Sequence, residues 1–207
     1  MWVVKIGGSL LGRDDLARWL RVLTEHGKGK LVIVPGGGAF ADTVREQQRQ
    51  LGFSDPCAHR MALKAMEQYG LLLMDLSPEL VPGASEEELH RQAKAGKVPV
   101  WFPYDMVTQS SEITSGWDIT SDSLAAWLAG HLAVQHLALV KRMDPPGKPV
   151  PVEEVSLKGV VDVTFARFMK PAIATWWLHA THHQGFGSVL RGERVPHTLI
   201  TLRAERI

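Results

Sequence analysis

Short apolar runs alternate along the chain with longer segments whose apolar residues recur at helical spacing. The short runs predict β-strands at residues 2–6, 31–34, 98–102, 137–140 and 196–202. The longer segments predict helices at residues 14–27, 39–51, 57–74, 85–95 and 121–131. This alternation predicts an α/β layered fold with a largely parallel sheet. No repeat or linker divides the sequence, so we expect one domain over residues 1–207.

Two glycine loops each follow a predicted strand. The first contains Gly7, Gly8 and Ser9, and the second contains Gly36, Gly37 and Gly38. Glycine lets the backbone approach a ligand closely, and N–H groups at the start of a helix attract anions. Because the carboxyl ends of parallel strands meet at one edge of a sheet, the two loops predict phosphate binding. The alternative is that each loop is only a tight turn.

The second loop also allows a different ligand. Gly36, Gly38 and Ala41 match the G-x-G-x-x-A fingerprint of dinucleotide-binding proteins. A dinucleotide-dependent oxidoreductase is therefore an alternative hypothesis, although it leaves Lys5 unexplained. Neither loop is closed by the Lys-Ser or Lys-Thr pair of Walker-type nucleotidases, so we do not expect that kind of enzyme.

Lys5 lies inside the first apolar strand. An unpaired lysine is costly to bury, so one interpretation is an edge-strand lysine whose ammonium reaches solvent. The functional interpretation puts the ammonium beside the first glycine loop. A positive charge at that place stabilises the charge that develops on phosphoryl oxygens during transfer.

A third polar segment begins the helix predicted at 121–131. Thr120 or Ser121 is suited to cap this helix, and Asp122 favours the positive end of its dipole. The Asp122 carboxylate at this position can also orient Lys5. Trp117, just before the helix, either packs in the core or faces a substrate.

Composition and charge exclude several classes of protein. The chain is 45% apolar and 22% charged, with 23 basic and 22 acidic residues, which is typical of a globular protein and argues against a dedicated nucleic-acid or membrane-surface protein. No apolar run approaches the ~20 residues of a membrane span. A single cysteine, Cys57, excludes a disulfide framework and favours a cytoplasmic location. No metal site is predicted, because the histidines His179, His182 and His183 have no acidic or thiol partner nearby in the sequence.

Three segments resemble the amino acid kinase superfamily: Lys-Ile-Gly-Gly-Ser at 5–9, Val-Pro-Gly-Gly-Gly at 34–38 and Thr-Ser-Asp-Ser-Leu-Ala at 120–125. The resemblance implies a three-layer αβα sandwich with a largely parallel central sheet. It also implies that ATP and an acceptor meet at the carboxyl edge of that sheet. Residues 58–66, 117–124 and 161–165 are most similar to the short members that phosphorylate aminomethylfuran phosphate in methanofuran biosynthesis.

The resemblance implies a role for each matching residue. Lys5 would neutralise the transferring phosphoryl group, and Asp122 would hold Lys5. ATP phosphates would bind to Gly7, Gly8, Ser9 and Lys141. The acceptor would bind to Gly36, Gly37, Gly38, His59, Arg60, Trp117 and Thr120. Mg²⁺ would enter with ATP, held mainly by phosphate oxygens. The chain would act on a small phosphate-bearing molecule as a homodimer or larger assembly, without nucleic acid or membrane.

Two departures from the superfamily pattern keep alternatives open. Many members carry Thr-Asp-x-Asp-Gly after the late strand, where residues 140–144 read Val-Lys-Arg-Met-Asp. Many also carry a second catalytic lysine in a Gly-Gly-Met loop, for which Lys158 or Lys170 could substitute here. The alternatives are a uridylate-type or isopentenyl-phosphate-type kinase, and a non-catalytic protein that binds nucleotides or oxyanions on the same fold.

Overall fold

A computed structural model describes residues 1–193 and 198–202. Within these residues, eight strands form one sheet in the order β3-β4-β2-β1-β5-β7-β8-β6. All neighbouring pairs are parallel except β7 and β8, which are antiparallel. The strands are β1 (Trp2–Ile6), β2 (Leu31–Pro35), β3 (Leu80–Gly83), β4 (Val98–Trp101), β5 (His136–Lys141), β6 (Val150–Pro151), β7 (Ala174–His179) and β8 (Thr198–Thr201).

Nine α-helices connect these strands in the part of the chain that the structure describes. They are α1 (Asp14–His26), α2 (Gly38–Leu51), α3 (Asp55–Leu76), α4 (Glu86–Lys94), α5 (Tyr104–Gln109), α6 (Ser121–His131), α7 (Val152–Leu157), α8 (Phe165–Phe168) and α9 (His183–Leu190). A short 3₁₀ turn, Gly8–Leu10, follows β1. Side chains cap two of the predicted helices: Ser85 accepts from the Glu88 amide at the start of α4, and Thr120 accepts from the Asp122 amide at the start of α6.

The sheet has an apolar core on each face, because alternate residues of each buried strand point to opposite sides. One core includes Val3 of β1 and is covered by α6 and α8, which contribute Leu124 and Phe165. The other includes Val4 and is covered by α1 and α9, through residues such as Trp19 and Phe186. Helices therefore cover both faces, and the predicted three-layer αβα fold is confirmed.

The sequence prediction missed several elements: β3, α5, α7, α8, β7 and α9. Their local patterns are weak for physical reasons. Strand β3 ends in Pro-Gly, α8 has only four residues, and α9 contains two glycines and begins at a histidine. The two-residue strand β6, at the end of a proline-rich segment, was missed as well. Of the last predicted strand, residues 196–197 lie outside the described residues, and β8 begins at Thr198.

The two glycine loops lie side by side because β1 pairs with β2 in parallel, so that both strands end at the same edge. The Gly36 amide donates to the Ile6 carbonyl at 2.9 Å. A Cβ atom on Gly8 would lie 2.1 Å from Gly38 Cα, which is closer than any real contact of this kind. The loops therefore pack backbone against backbone, which only glycine allows.

We predict that Gly8→Ala destabilises the protein by about 3 kcal/mol, because the added methyl group must displace the backbone of Gly38. The measurement is the free energy of unfolding from chemical denaturation. Gly185→Ala is the matched control: its Cβ meets open space within α9, so we expect a gain of about 0.5–1 kcal/mol from helix propensity. An unchanged free energy of unfolding for Gly8→Ala would contradict the close packing of the loops.

Candidate active site

A buried carboxylate lies between two ammonium groups at the carboxyl edge of the sheet. Asp122, in the first turn of α6, has its Oδ1 atom 2.9 Å from Lys5 Nζ and its Oδ2 atom 2.5 Å from Lys141 Nζ. Lys5 lies on β1 and Lys141 at the end of β5, the neighbouring strand. Lys5 and Asp122 are 6% and 5% exposed. Parallel pairing of β1 with β5 and the position of α6 over that face bring the three side chains together.

Electrostatics within this cluster favour an anion. Burial alone would raise the pKa of the Asp122 carboxyl, but Lys5 and Lys141 outweigh it and hold that pKa below its ordinary value. Burial, and after it the charge of Lys5, lower the pKa of the Lys141 ammonium to about 8 against the opposing effect of Asp122. The three charged side chains together carry one excess positive charge, which an incoming phosphate group would neutralise.

Glycine loops border the lysines. A Cβ atom on Gly7 would lie 3.6 Å from Lys5 Nζ, so the ammonium lies directly beside the first loop. Gly8 and Ser9 line a cavity together with Gly37 and Gly38 of the second loop. Gly36 does not line the cavity and instead packs against Gly8, whose amide nitrogen would be 2.6 Å from a Cβ atom on Gly36.

The cavity beside the loops has a volume of about 170 Å³. One wall is apolar and is formed by α3 and the start of α6, with Ala62, Leu63, Met66, Ile119 and Leu124. The polar residues of its lining are Ser9, Asp42, Arg45, His59, Thr120 and Ser121. Such a cavity suits a ligand with a small apolar body and an anionic end.

Trp117 is held in the cavity wall by α2. Its indole N–H donates to Gln48 Oε1 at 2.6 Å, and the Arg45 guanidinium lies 4.3 Å from the ring centre. Arg45 also pairs with Asp42 at 2.9 Å. A tryptophan fixed on both its edge and its face presents a rigid aromatic surface to the cavity.

His59 of α3 lines the same cavity. Its Nδ1 atom lies 3.4 Å from the Gly116 carbonyl oxygen, and burial lowers its pKa below the ordinary value despite this contact. The imidazole is therefore neutral at pH 7 and can serve as a hydrogen-bonding group toward an acceptor. Arg60 does not line the cavity, contrary to the expected acceptor contact. It is exposed, because consecutive residues of a helix point about 100° apart.

Neither lysine that the sequence offered as a second cation lies in the cluster. Lys158 is exposed and pairs with Glu154 on its own helix at 2.7 Å. Lys170 packs near Gly130, at the end of α6 opposite to Asp122. The second lysine at the Asp122 carboxylate is Lys141. Its side chain lies on the same face of β5 as the apolar residues that pack against α6.

Sequence reasoning missed three residues around the site. Arg45 and Gln48 follow Ala41 by four and seven residues, which puts all three on one helix face beside the second loop. That spacing was the available signal. Asp162 accepts hydrogen bonds from Thr120 and Ser123, although it is about 40 residues away in the chain. Residues 161–165 are among those that resemble the short members of the superfamily, but no local pattern indicates this contact.

Among the described residues, no group of three or more His, Cys, Asp or Glu side chains is arranged to hold a metal ion. His179 bonds the Thr181 hydroxyl and the Arg142 carbonyl instead. The site residues fit Mg²⁺ only as an ion that arrives with nucleotide phosphates, because both oxygens of Asp122 are engaged by lysines. No helix in the described ranges is long and apolar enough to span a bilayer.

Comparison with known proteins agrees with this geometry. The model of the Amino acid kinase family matches residues 1–145. The chain is 27% identical over 211 residues to the [5-(aminomethyl)furan-3-yl]methyl phosphate kinase of Methanocaldococcus jannaschii, covering 97% of each chain.

Solved structures show the same fold. The uridylate kinase of Archaeoglobus fulgidus superposes with a TM-score of 0.72 at 17% identity, over 97% of this chain and 99% of that one. An isopentenyl phosphate kinase gives a TM-score of 0.64 at 15% identity, over 97% of this chain and 100% of that one.

The chain therefore belongs to the amino acid kinase family. It is an ATP-dependent phosphotransferase, as the sequence predicted, and the alternative of a dinucleotide-dependent oxidoreductase is wrong.

We predict that kcat/KM for ATP falls as the pH rises above about 8, because Lys141 then loses its proton and its charge. Lys141→Arg should remove this fall, since a guanidinium stays charged throughout the range. The measurement is a pH profile of kcat/KM from pH 6 to 10, with Lys158→Arg as the control that keeps the fall. If kcat/KM of the Lys141→Arg variant decreased at high pH in the same way, a group other than Lys141 would be responsible.

Proposed function

We propose that this kinase transfers the γ-phosphoryl group of ATP to the phosphate of a small phosphomonoester, for which aminomethylfuran phosphate is the best representative. The observation that carries the proposal is the position of the Lys5–Asp122–Lys141 cluster beside two facing glycine loops and a small cavity. ATP phosphates lie at Gly7, Gly8 and Ser9, and the acceptor phosphate lies at Gly37 and Gly38.

In this reaction an oxygen of the acceptor phosphate forms a bond to the γ-phosphorus of ATP. The bond from that phosphorus to the β-γ bridging oxygen breaks, and the electron pair leaves with ADP. The products are ADP and a diphosphate ester. The attacking phosphate is already anionic at pH 7, so no general base is required. When Mg²⁺ is bound to the nucleotide, it supplies additional positive charge at the phosphates.

Lys5 and Lys141 stabilise the charge on the transferring group, since the Lys5 side chain is buried and that of Lys141 is only 15% exposed, so water screens both charges weakly. Asp122 keeps the two ammonium groups at a fixed separation. Its lowered pKa means that it stays ionised and does not accept a proton during the reaction.

The size of the cavity supports a small acceptor. A cavity of roughly 150 Å³ holds a single benzene ring, and the cavity here measures about 170 Å³. The cavity is open on one side, and a furan ring or a five-carbon chain fills it against the apolar wall, whereas the ribose and base of uridylate would extend into solvent. Trp117 and the apolar wall suit a flat ring, while His59 and the second loop suit its phosphate.

Isopentenyl phosphate is the second candidate acceptor, because its five-carbon body also matches the volume and the apolar wall. In either case the diphosphate product is a good leaving group for a later condensation. For the furan acceptor, the place of the reaction is the synthesis of a methanofuran-type cofactor for one-carbon metabolism.

The test is ADP release with Mg-ATP and four acceptors: aminomethylfuran phosphate, isopentenyl phosphate, UMP and N-acetylglutamate. We expect selective turnover of the furan phosphate, with UMP turned over at least about 100-fold more slowly if the lost contacts cost about 3 kcal/mol. Preferred turnover of UMP would refute the size argument, and preferred turnover of N-acetylglutamate would refute the phosphate acceptor.

The Lys5→Met variant tests the role of Lys5 in the same ADP-release assay. Removal of one charge that stabilises the transition state should lower kcat by about 10²–10³-fold. Lys28→Met is the matched control, since Lys28 is exposed and pairs with Glu79 away from the site. Equal kcat values for the Lys5 and Lys28 variants would contradict the role of Lys5.

A further inference from the structure

Asp162 connects the start of α6 to the segment between α7 and α8. Its Oδ2 atom accepts from the Thr120 amide at 3.1 Å, the Thr120 hydroxyl at 2.7 Å and the Ser123 amide at 3.1 Å. The first N–H groups of a helix have no partner within the helix. Two amide groups at the start of α6 therefore depend on a carboxylate that is distant in sequence.

The other oxygen of Asp162 is equally engaged. Its Oδ1 atom accepts from the Ser123 hydroxyl at 2.5 Å and from the Thr164 amide at 3.2 Å. The Thr164 hydroxyl lies 2.9 Å from this oxygen and 2.9 Å from the Asp118 carbonyl oxygen, and its single proton serves one of them at a time. With donors on both oxygens, Asp162 has little capacity left to bind a substrate or a metal.

A chain of hydrogen bonds leads from Asp162 to the lysine cluster. The Thr120 hydroxyl that donates to Asp162 also accepts from the Asp122 amide at 3.3 Å. Asp122 in turn contacts the ammonium groups of Lys5 and Lys141. A displacement of the first turn of α6 would therefore move the carboxylate that both lysines share.

We propose that Asp162 is a positioning residue of the phosphoryl-transfer site, which holds the first turn of α6 and thereby fixes Asp122 between the two lysines. The proposal rests on the proposed function for its effect on catalysis. The competing explanation is that Asp162 only caps α6 and stabilises the fold, without influence on the lysines.

The pKa of Lys141 distinguishes between these two explanations. Lys5 faces Lys141 from β1, Asp122 faces it from α6, and Asp162 acts from the segment before α8. On β7 the neighbour in register is His179, whose ring nitrogens bond to Thr181 and Arg142. Burial and Lys5 lower the pKa of Lys141 to about 8, and the negative charges of Asp122 and Asp162 oppose this lowering. Loss of the Asp162 charge should therefore lower the pKa of Lys141 further.

The test compares the wild type with Asp162→Asn, which keeps the shape of the side chain and removes its charge. The pKa of Lys141 is measured by NMR of its ε-carbon in the protein without nucleotide. We expect a pKa clearly below the wild-type value, and kcat lower by about 100-fold because the transfer geometry is displaced. The midpoint of the alkaline fall in kcat/KM should move to lower pH with it. Asp75→Asn, an exposed carboxylate at the far end of α3, is the control that changes neither quantity.

An unchanged pKa of Lys141 in a folded Asp162→Asn variant would overturn the proposal. This readout does not need turnover, so it decides the proposal even if the wild type phosphorylates none of the acceptors, a result that would refute only the proposed function. If Asp162→Asn does not fold, Ser123→Ala removes one donor to Asp162 and keeps every charge. For this variant we expect a kcat about fivefold lower, while the decrease in kcat/KM at high pH keeps its wild-type midpoint. A kcat equal to that of the wild type would overturn the proposal.

Discussion

The contact of one buried carboxylate with two ammonium groups, one buried on Lys5 and one partly buried on Lys141, governs the arrangement of this site. A charged group is costly to remove from water unless it is paired. Lys5 and Lys141 stand on neighbouring strands, and Asp122 lies between them at the start of the helix that covers those strands. Two cations with one anion leave an excess of positive charge. That excess makes the cluster unfavourable for stability alone and well suited to a phosphate group.

Close packing of the glycine loops is the second constraint, and it depends on the parallel pairing of β1 and β2. Because both strands end at one edge, the two loops approach until their backbones touch at Gly8 and Gly38. The first of the two loops also lies directly beside the Lys5 ammonium, where a Cβ atom on Gly7 would be 3.6 Å from Nζ. A donor phosphate and an acceptor phosphate held at these loops would meet beside the cations, which is most of what phosphoryl transfer requires of a protein.

The central features of the fold could be predicted from local patterns in the sequence. The apolar runs of β2 and β5 are continuous, that of β1 is interrupted only by Lys5, and the start of α6 carries its own capping residue, Thr120. The elements after Lys141 were harder to predict, because α8 and β6 are too short to show a period and β7 mixes tryptophan with polar residues.

Contacts between distant segments were beyond local patterns altogether. The pairing of Lys141 with Asp122 depends on which strand lies next to β1, and sequence spacing does not contain that information. The same holds for Asp162, whose hydrogen bonds reach residues about 40 positions earlier. Arg45 and Gln48 could have been found, since their helical spacing from Ala41 places them beside the second glycine loop.

The claim that the lysine cluster faces the transferring phosphoryl group is tested most directly by the pKa of Lys141 in a transition-state complex. The measurement is NMR titration of the Lys141 ε-carbon with and without Mg-ADP, aluminium fluoride and the acceptor. The account predicts a pKa of about 8 in the free protein. In the complex it predicts a rise toward the ordinary value of about 10.4, because the bound anion stabilises the ammonium. A pKa that stays the same in the complex would contradict the account, since it would place the phosphoryl group away from Lys141.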